Sequence, residues 1–137
     1  MARTSTISTA LALGKKTAAL KTRLDALPGA VASPMAASRG TTPLVLIYKV
    51  MNKTFAILSV RAEEFVMLKA DPGFVPLLRE QYDGIGHRTH LDPRHWIAVA
   101  LDSDVPAKEV ARLAKQSYDL VSAGLTAKQK AALAAKR

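Results

Sequence analysis

The 137-residue chain contains no cysteine, which excludes disulfides, thiolate nucleophiles and every zinc site that relies on sulfur. Long apolar runs are also missing. Apolar residues make up 49% of the chain, yet none of their uninterrupted runs approaches the roughly 20 residues that span a bilayer. The chain is therefore expected to be soluble, with no membrane partner. There is no glycine-rich phosphate loop, and no nucleophile elbow or oxyanion turn accompanies Ser117 to make a triad of it with a distant His and Asp. No acid and base can be paired from spacing, so an enzyme is the least supported class. The apolar stretch at residues 10–13 is short of the roughly 7 residues that a secretory signal needs. Residues 1–23 are rich in Ser, Thr, Ala and basic side chains without an acid, a composition shared by organellar transit peptides. Cytoplasmic residence is the default expectation.

What is present is positive charge, at a formal net +9, the usual footprint of a polyanionic partner. Its distribution is uneven. Arg3, Lys15, Lys16, Lys21, Arg23 and Arg39 face one acid, Asp25, in the first 40 residues, and Lys128, Lys130, Lys136 and Arg137 crowd the end. Between residues 41 and 125 acids and bases balance. Basic tails serve solvation as readily as attraction to nucleic acid or anionic lipid, so any cationic site on the body must be local.

Length near the commonest domain size points to one domain. Leu13, Leu20, Leu24 and Leu27 share one helical face up to Pro28-Gly29. Residues 30–43, which lack any period, read as a long loop. Residues 44–50 and 54–60 form a hairpin, with Asn52 suiting the left-handed turn, and residues 65–69 add a third strand. After Asp71-Pro72 a helix runs to about Tyr82, with Gly84 as its terminator and Pro76 an awkward interior residue. Residues 95–101 form a strand. Val110, Leu113, Ala114, Ser117, Tyr118 and Val121 supply a helical stripe that ends at Gly124. The tail beyond Thr126 reads as a frayed helix. The organisation expected is a basic helical extension (1–26), the domain itself (27–125) and a basic tail (126–137). The fold is an antiparallel sheet with packed helices.

Six blocks then stand in order: Lys53-Thr54-Phe55-Ala56, Leu68-Lys69-Ala70-Asp71-Pro72, Leu78-Arg79-Glu80-Gln81-Tyr82, residues 90–97 (HLDPRHWI), Asp104-Val105-Pro106 and Ser117-Tyr118-Asp119-Leu120-Val121. Together they resemble the bacterial MmcQ/YjbR family over roughly residues 27–125. The resemblance implies a CyaY-like, frataxin-like α/β (α+β) sandwich. It also implies DNA binding through a double wing of strands and loops. No cofactor is expected, and a monomer is favoured over any particular oligomer. Two departures bear on the loops. Met51-Asn52 stands where the family usually has glycines, and residues 31–42 replace its usual aromatic and acidic loop.

Lys53, Lys69, Arg79 and Arg94 match family motifs at strand ends, on a helix and in a loop, where cations meet phosphates without reading bases. The competing role for Lys69 and Arg79 is pairing with neighbouring carboxylates. His87, Arg88, His90, Arg94 and His95 make the loop before the last strand the richest polar cluster in the chain, a candidate wing tip or anion pocket. The histidine spacings, without a carboxylate cluster, speak against a metal. Trp96 and Tyr118 could stack on bases, but a strand and an amphipathic helix favour core packing. The expected function is a non-catalytic DNA-binding module that holds backbone phosphates through Lys53, Lys69, Arg79, Arg88, His90 and Arg94. The alternative is a protein- or small-ligand-interaction domain.

Overall fold

Along β2 (Val45–Val50) every second side chain, Leu46, Tyr48 and Val50, is buried, the signature of a strand with one face on a core. A computed structural model of the chain describes residues 14–34, 45–60, 64–86 and 92–135. Around β2 stand β1 (Ala30–Pro34), β3 (Lys53–Ser59), β4 (Phe65–Lys69), β5 (Ile85–Gly86) and β6 (Trp96–Ala100), and the described helices are α1 (Lys15–Ala26), α2 (Val75–Gln81), α3 (Ala107–Ala123) and α4 (Ala127–Ala134). The strands form one sheet of order β1-β2-β3-β4-β6-β5, with every neighbouring pair antiparallel. The fold is α+β.

The turn between β2 and β3 explains a departure seen in the sequence. Met51 and Asn52 take φ of 47° and 68°, the paired left-handed values of a two-residue type I′ turn. Glycine adopts them freely, whereas Met51 does so at a cost of about 1–2 kcal/mol, offset by packing of its side chain against the core. Beyond the turn Tyr48 faces Ala56 but Lys49 faces Thr54. Phe55 is the extra, bulged residue, and Phe55 and Ala56 are therefore both buried.

Helix α3 lies across β2, β3 and β4, with α1 beside it reaching β1. All six residues of the expected α3 stripe are buried. Tyr118 meets Phe55 edge-on at 5.4 Å, and its hydroxyl donates to the Pro28 carbonyl at 2.6 Å. Leu20 and Leu24 of α1 and Leu133 of α4 belong to the same core. Helix α1 lacks a side-chain cap of its own. Glu64, at the mouth of β4, serves instead, accepting from the Gly14 amide at 3.4 Å and from the buried Thr17 hydroxyl.

Several expectations need correction. Residues 30–34 are not loop but β1, paired along its whole length with β2. Helix α2 begins at Val75, so Pro76 sits in its first turn, where the missing amide costs nothing. Gly84 does not end that helix, which closes at Tyr82. A Cβ there would meet the Ser103 side chain at 2.2 Å, so glycine is required for close approach. Its amide and that of Asp83 donate to Asp104 at 2.8 and 2.9 Å, which pins β5 to the turn before α3. The helix expected beyond Thr126 is present as α4, and its start is fixed rather than frayed, by a reciprocal capping box between Thr126 and Gln129. Trp96 is half-buried rather than a core residue.

Candidate functional site

Pleating sends alternate residues to the face of the sheet away from α1 and α3. There Ile47, Ile57, Met67 and Ala98 stand in register across β2, β3, β4 and β6, with Met67 and Ala98 buried. One row further on, toward the β2–β3 turn, the face becomes polar. Val31 pairs with Lys49 and Lys49 with Thr54, while Lys69 pairs with Trp96. Lys49, Lys69 and Trp96 are half-buried, their apolar stems lying along the sheet. Among the described residues neither lysine makes an ion pair, so the carboxylate pairing considered for Lys69 is not found there.

The main chain at this end is fixed by Ser117, which is fully buried. Its hydroxyl accepts from the Lys69 amide at 2.8 Å and donates to the Phe55 carbonyl, satisfying two groups left over where β3 and β4 cease to pair.

The turn ahead of β6 flanks the lysines. The Ala70 amide donates to the His95 carbonyl at 2.8 Å, and the His95 and Trp96 amides both donate to the Asp92 carbonyl at 3.0 Å. Arg79 reaches the turn from α2 and donates to the Pro93 carbonyl at 3.1 Å. It thus ties helix to loop through a carbonyl, not through the expected carboxylate, and its Nε is buried without a partner. Arg94 is engaged by Asp92 through its amide at 2.9 Å, its Nε at 3.3 Å and an Nη at 3.2 Å. The Arg94 side-chain and amide hydrogen bonds hold the Asp92 carboxyl below its usual range.

Of the residues expected from sequence, Lys69, Arg79 and Arg94 are thus brought to one end of the sheet. Lys53 is exposed at the same end, but opposite Val50 the pleat turns it toward the helix side. Lys49 takes its place on the outer face. It was missed in the sequence, although the alternation Val45, Ile47, Lys49 identifies it. His87, Arg88 and His90 lie outside the described residues. Among the described residues no group of three or more His, Asp or Glu could hold a metal ion, and no helix is long and apolar enough to cross a membrane.

A six-stranded antiparallel sheet, with helices on one face and a lysine-and-tryptophan end on the other, defines an α+β module. The chain belongs to the YjbR family, whose model matches residues 25–120. It is similar to the uncharacterized protein YjbR of Escherichia coli (strain K12), at 34% identity over 71 residues, 51% of this chain and 60% of that protein. The uncharacterized protein YbdF of Escherichia coli O157:H7 matches at 30% over 80 residues, 58% of this chain and 66% of that one. The chain therefore spans between three fifths and two thirds of the length of these relatives. Among solved structures it is similar to Deinococcus radiodurans protein DR2400, a DUF419 domain, with a TM-score of 0.69 and 28% identity over 84% of this chain and 85% of that one. A Pseudomonas syringae protein shares the fold at a TM-score of 0.53 and 24% identity, covering 65% of this chain and 86% of that one.

Proposed function

We propose that the chain is a non-catalytic DNA-binding module that grips the phosphate backbone with little base specificity. Lys49 and Lys69 supply the principal contacts on the outer face of the sheet, and Lys53, Arg79, Arg88, His90 and Arg94 complete the cationic surround. The observation that carries this reading is the pair of half-buried lysines, two strands apart and without an acidic partner among the described residues, with Trp96 beside Lys69, in a body of balanced charge. A phosphate oxygen completes such an ammonium, and an aromatic edge beside it suits sugar or base contact. Arg94, already held by Asp92, contributes less, and Arg79 positions the loop.

The test is a titration of the full chain against labelled duplex DNA at about 50 and about 200 mM salt. Replacing Lys49 and Lys69 together by alanine is expected to weaken binding at low salt at least about tenfold and to lower the salt slope by about two. Unchanged binding, with loss only on neutralising the tail lysines and arginines, would refute the reading.

One observation favours the interaction-domain alternative. Phe74 and Leu120, 59% and 38% exposed, line a hollow of about 270 Å³ with Asp71, Gln116 and Asp119, and Leu77 lies exposed one turn from Phe74. Apolar side chains exposed together mark contact surfaces. Salt-insensitive binding of a protein partner that is lost in Phe74→Ser would support that alternative.

A further inference from the structure

On the opposite side of the molecule from the lysine face, α1 and α3 lie side by side and leave a notch between them. It comprises two adjoining hollows of about 200 and 340 Å³ that share Arg23 and Ala111. Lys16 to Arg23 line it opposite Ala107 to Ala111, and Arg23 to Leu27 opposite Ala111 to Lys115, so the two helices run in the same direction. The floor is aliphatic, formed by the nearly fully buried Leu20, Leu24, Val110 and Ala114, and the apolar surface open to a partner is that of Ala19, Ala26, Leu27, Ala107 and Ala111. Small side chains make the walls, so a third backbone could come close.

The rim carries charge of one sign among the described residues: Lys16, Arg23, Lys108 and Lys115 line the notch, and none of the described acids does. Arg23 and Lys108 are exposed and make no ion pair among the described residues. Lys16 is spent on the Val105 and Ser103 carbonyls at 2.6 and 3.3 Å. Lys115 is paired with Asp119 at 2.9 Å. The neighbouring acids are turned to other partners, Asp25 to Lys21 and Glu109 to Arg112.

We propose that this notch is the docking site for an acidic amphipathic helix of a partner protein, about three turns long, matching the 12 residues of α1. Its apolar stripe covers Ala19, Ala26, Leu27, Ala107 and Ala111 above the aliphatic floor, as one helix packs into the groove between two others. Its carboxylates meet Arg23 and Lys108 on either rim, which sets partner choice and steers approach. Shape and floor separate this occupant from other anions. A duplex is too broad to enter a notch between adjacent helices, whose axes lie about 8–10 Å apart, and phosphates make no use of a leucine floor. A bilayer surface would need cations that protrude rather than cations set around a hollow.

The experiment uses the isotope-labelled full chain and a fluorescent peptide of roughly 14 residues, with leucine at helical spacing and glutamate elsewhere. Its controls are the same composition with the spacing scrambled, a leucine–lysine counterpart, duplex DNA and anionic phosphatidylglycerol vesicles. The patterned acidic peptide is expected to bind at least about tenfold more tightly than either control peptide, and amide shifts are expected to cluster on α1 and the first half of α3. Arg23→Glu with Lys108→Glu, two exposed sites that leave the core intact, is expected to weaken this binding at least about tenfold while duplex binding by the lysine face is retained. Ala111→Phe, which fills the notch without changing charge, is expected to do the same at an unchanged melting profile. Equal binding of the scrambled peptide would overturn the proposal, as would shifts on the Phe74 and Leu120 hollow or on the outer sheet face. No binding, or Arg23 and Lys108 serving DNA or vesicles instead, would overturn it as well. Loss of duplex binding in Lys49→Ala with Lys69→Ala, with peptide binding intact, separates the two surfaces.

Discussion

Replacing Ser117 by alanine removes a few atoms from the middle of α3, yet it is expected to be one of the most damaging small changes in the chain. The side chain is 0% exposed, and its hydroxyl is the partner of both the Lys69 amide and the Phe55 carbonyl. Alanine fits the space but leaves two main-chain groups stranded where water cannot readily reach. Each stranded group costs about 1–3 kcal/mol, so the pair costs about 2–4 kcal/mol allowing for partial relaxation. For a chain of this length that lowers the melting temperature by roughly 7–14 °C. Ser122 provides the control on the same helix. Its hydroxyl is buried without a partner, so Ser122→Ala is expected to fall within about 0.5 kcal/mol of the parent or to stabilise it. Urea unfolding of the three proteins with a common m-value is the assay. If Ser117→Ala lies within about 0.5 kcal/mol of the parent, or the two alanine variants lose equal stability, the hydroxyl does not satisfy those groups and the argument fails. Because the Lys69 amide hangs from this hydroxyl, the proposed function adds the expectation that Ser117→Ala weakens duplex binding more than its stability loss explains.

Three further outcomes follow from the same geometry. Leu24 is fully buried in the shared core, so Leu24→Ala is expected to cost about 2–5 kcal/mol and removal of residues 1–26 to abolish cooperative unfolding; a sharp melting transition in the shortened chain would contradict both. Burial first, then the hydrogen bond to Asp25 at 2.8 Å and its charge, raises the Tyr48 hydroxyl well above its ordinary value of 10.0. Its contribution is therefore full below about pH 10 and lost as pH rises beyond it, so stability should fall more steeply between about pH 10 and 11 in the parent than in Tyr48→Phe; parallel curves would dismiss the link. The Asp83 and Gly84 amides hold the Asp104 carboxyl below its ordinary value of 3.8. The anchor of β5 is present above about pH 4 and lost as pH falls through the folded value. Asp104→Asn at neutral pH should therefore speed exchange of the Ala100 amide, which donates to Gly84, and undisturbed protection would refute the role.

The parts of the fold legible in the sequence were those with periodic burial or a dense apolar run. The α3 stripe and β2 bury side chains at the spacing their geometry demands, whereas β3 and β4 show as short apolar runs bounded by polar residues, with consecutive residues buried. Strand β1 was not legible because it buries no side chain fully and is held by main-chain hydrogen bonds to β2, to which its alanines and serine give no clue. Strand β5, of two residues, is too short to show any period. The start of α2 was misplaced because Asp71-Pro72 imitates a helix start, whereas Asp71 closes a tighter turn by accepting from the Gly73 amide at 2.8 Å. The site was half legible. Lys69, Arg79 and Arg94 could be picked out singly, but that Trp96 stands beside Lys69 depends on register. That Arg79 ends on a carbonyl and Arg94 on its own loop depends on distances that residue types do not carry.

The two borders of the sheet bear on how this molecule can meet another. Among the described residues the border strand β5 is two residues long, and β1 ends on Pro34, a residue with no amide hydrogen to lend. A neighbouring chain that tried to extend the sheet would find little main chain to pair with on one side and a stop on the other, the arrangement by which soluble β proteins resist edge-to-edge fibre growth. Association is thereby steered away from backbone pairing and onto side chains. Which partner the molecule accepts is then decided by its faces, and point substitutions there can change that choice without disturbing the strands beneath.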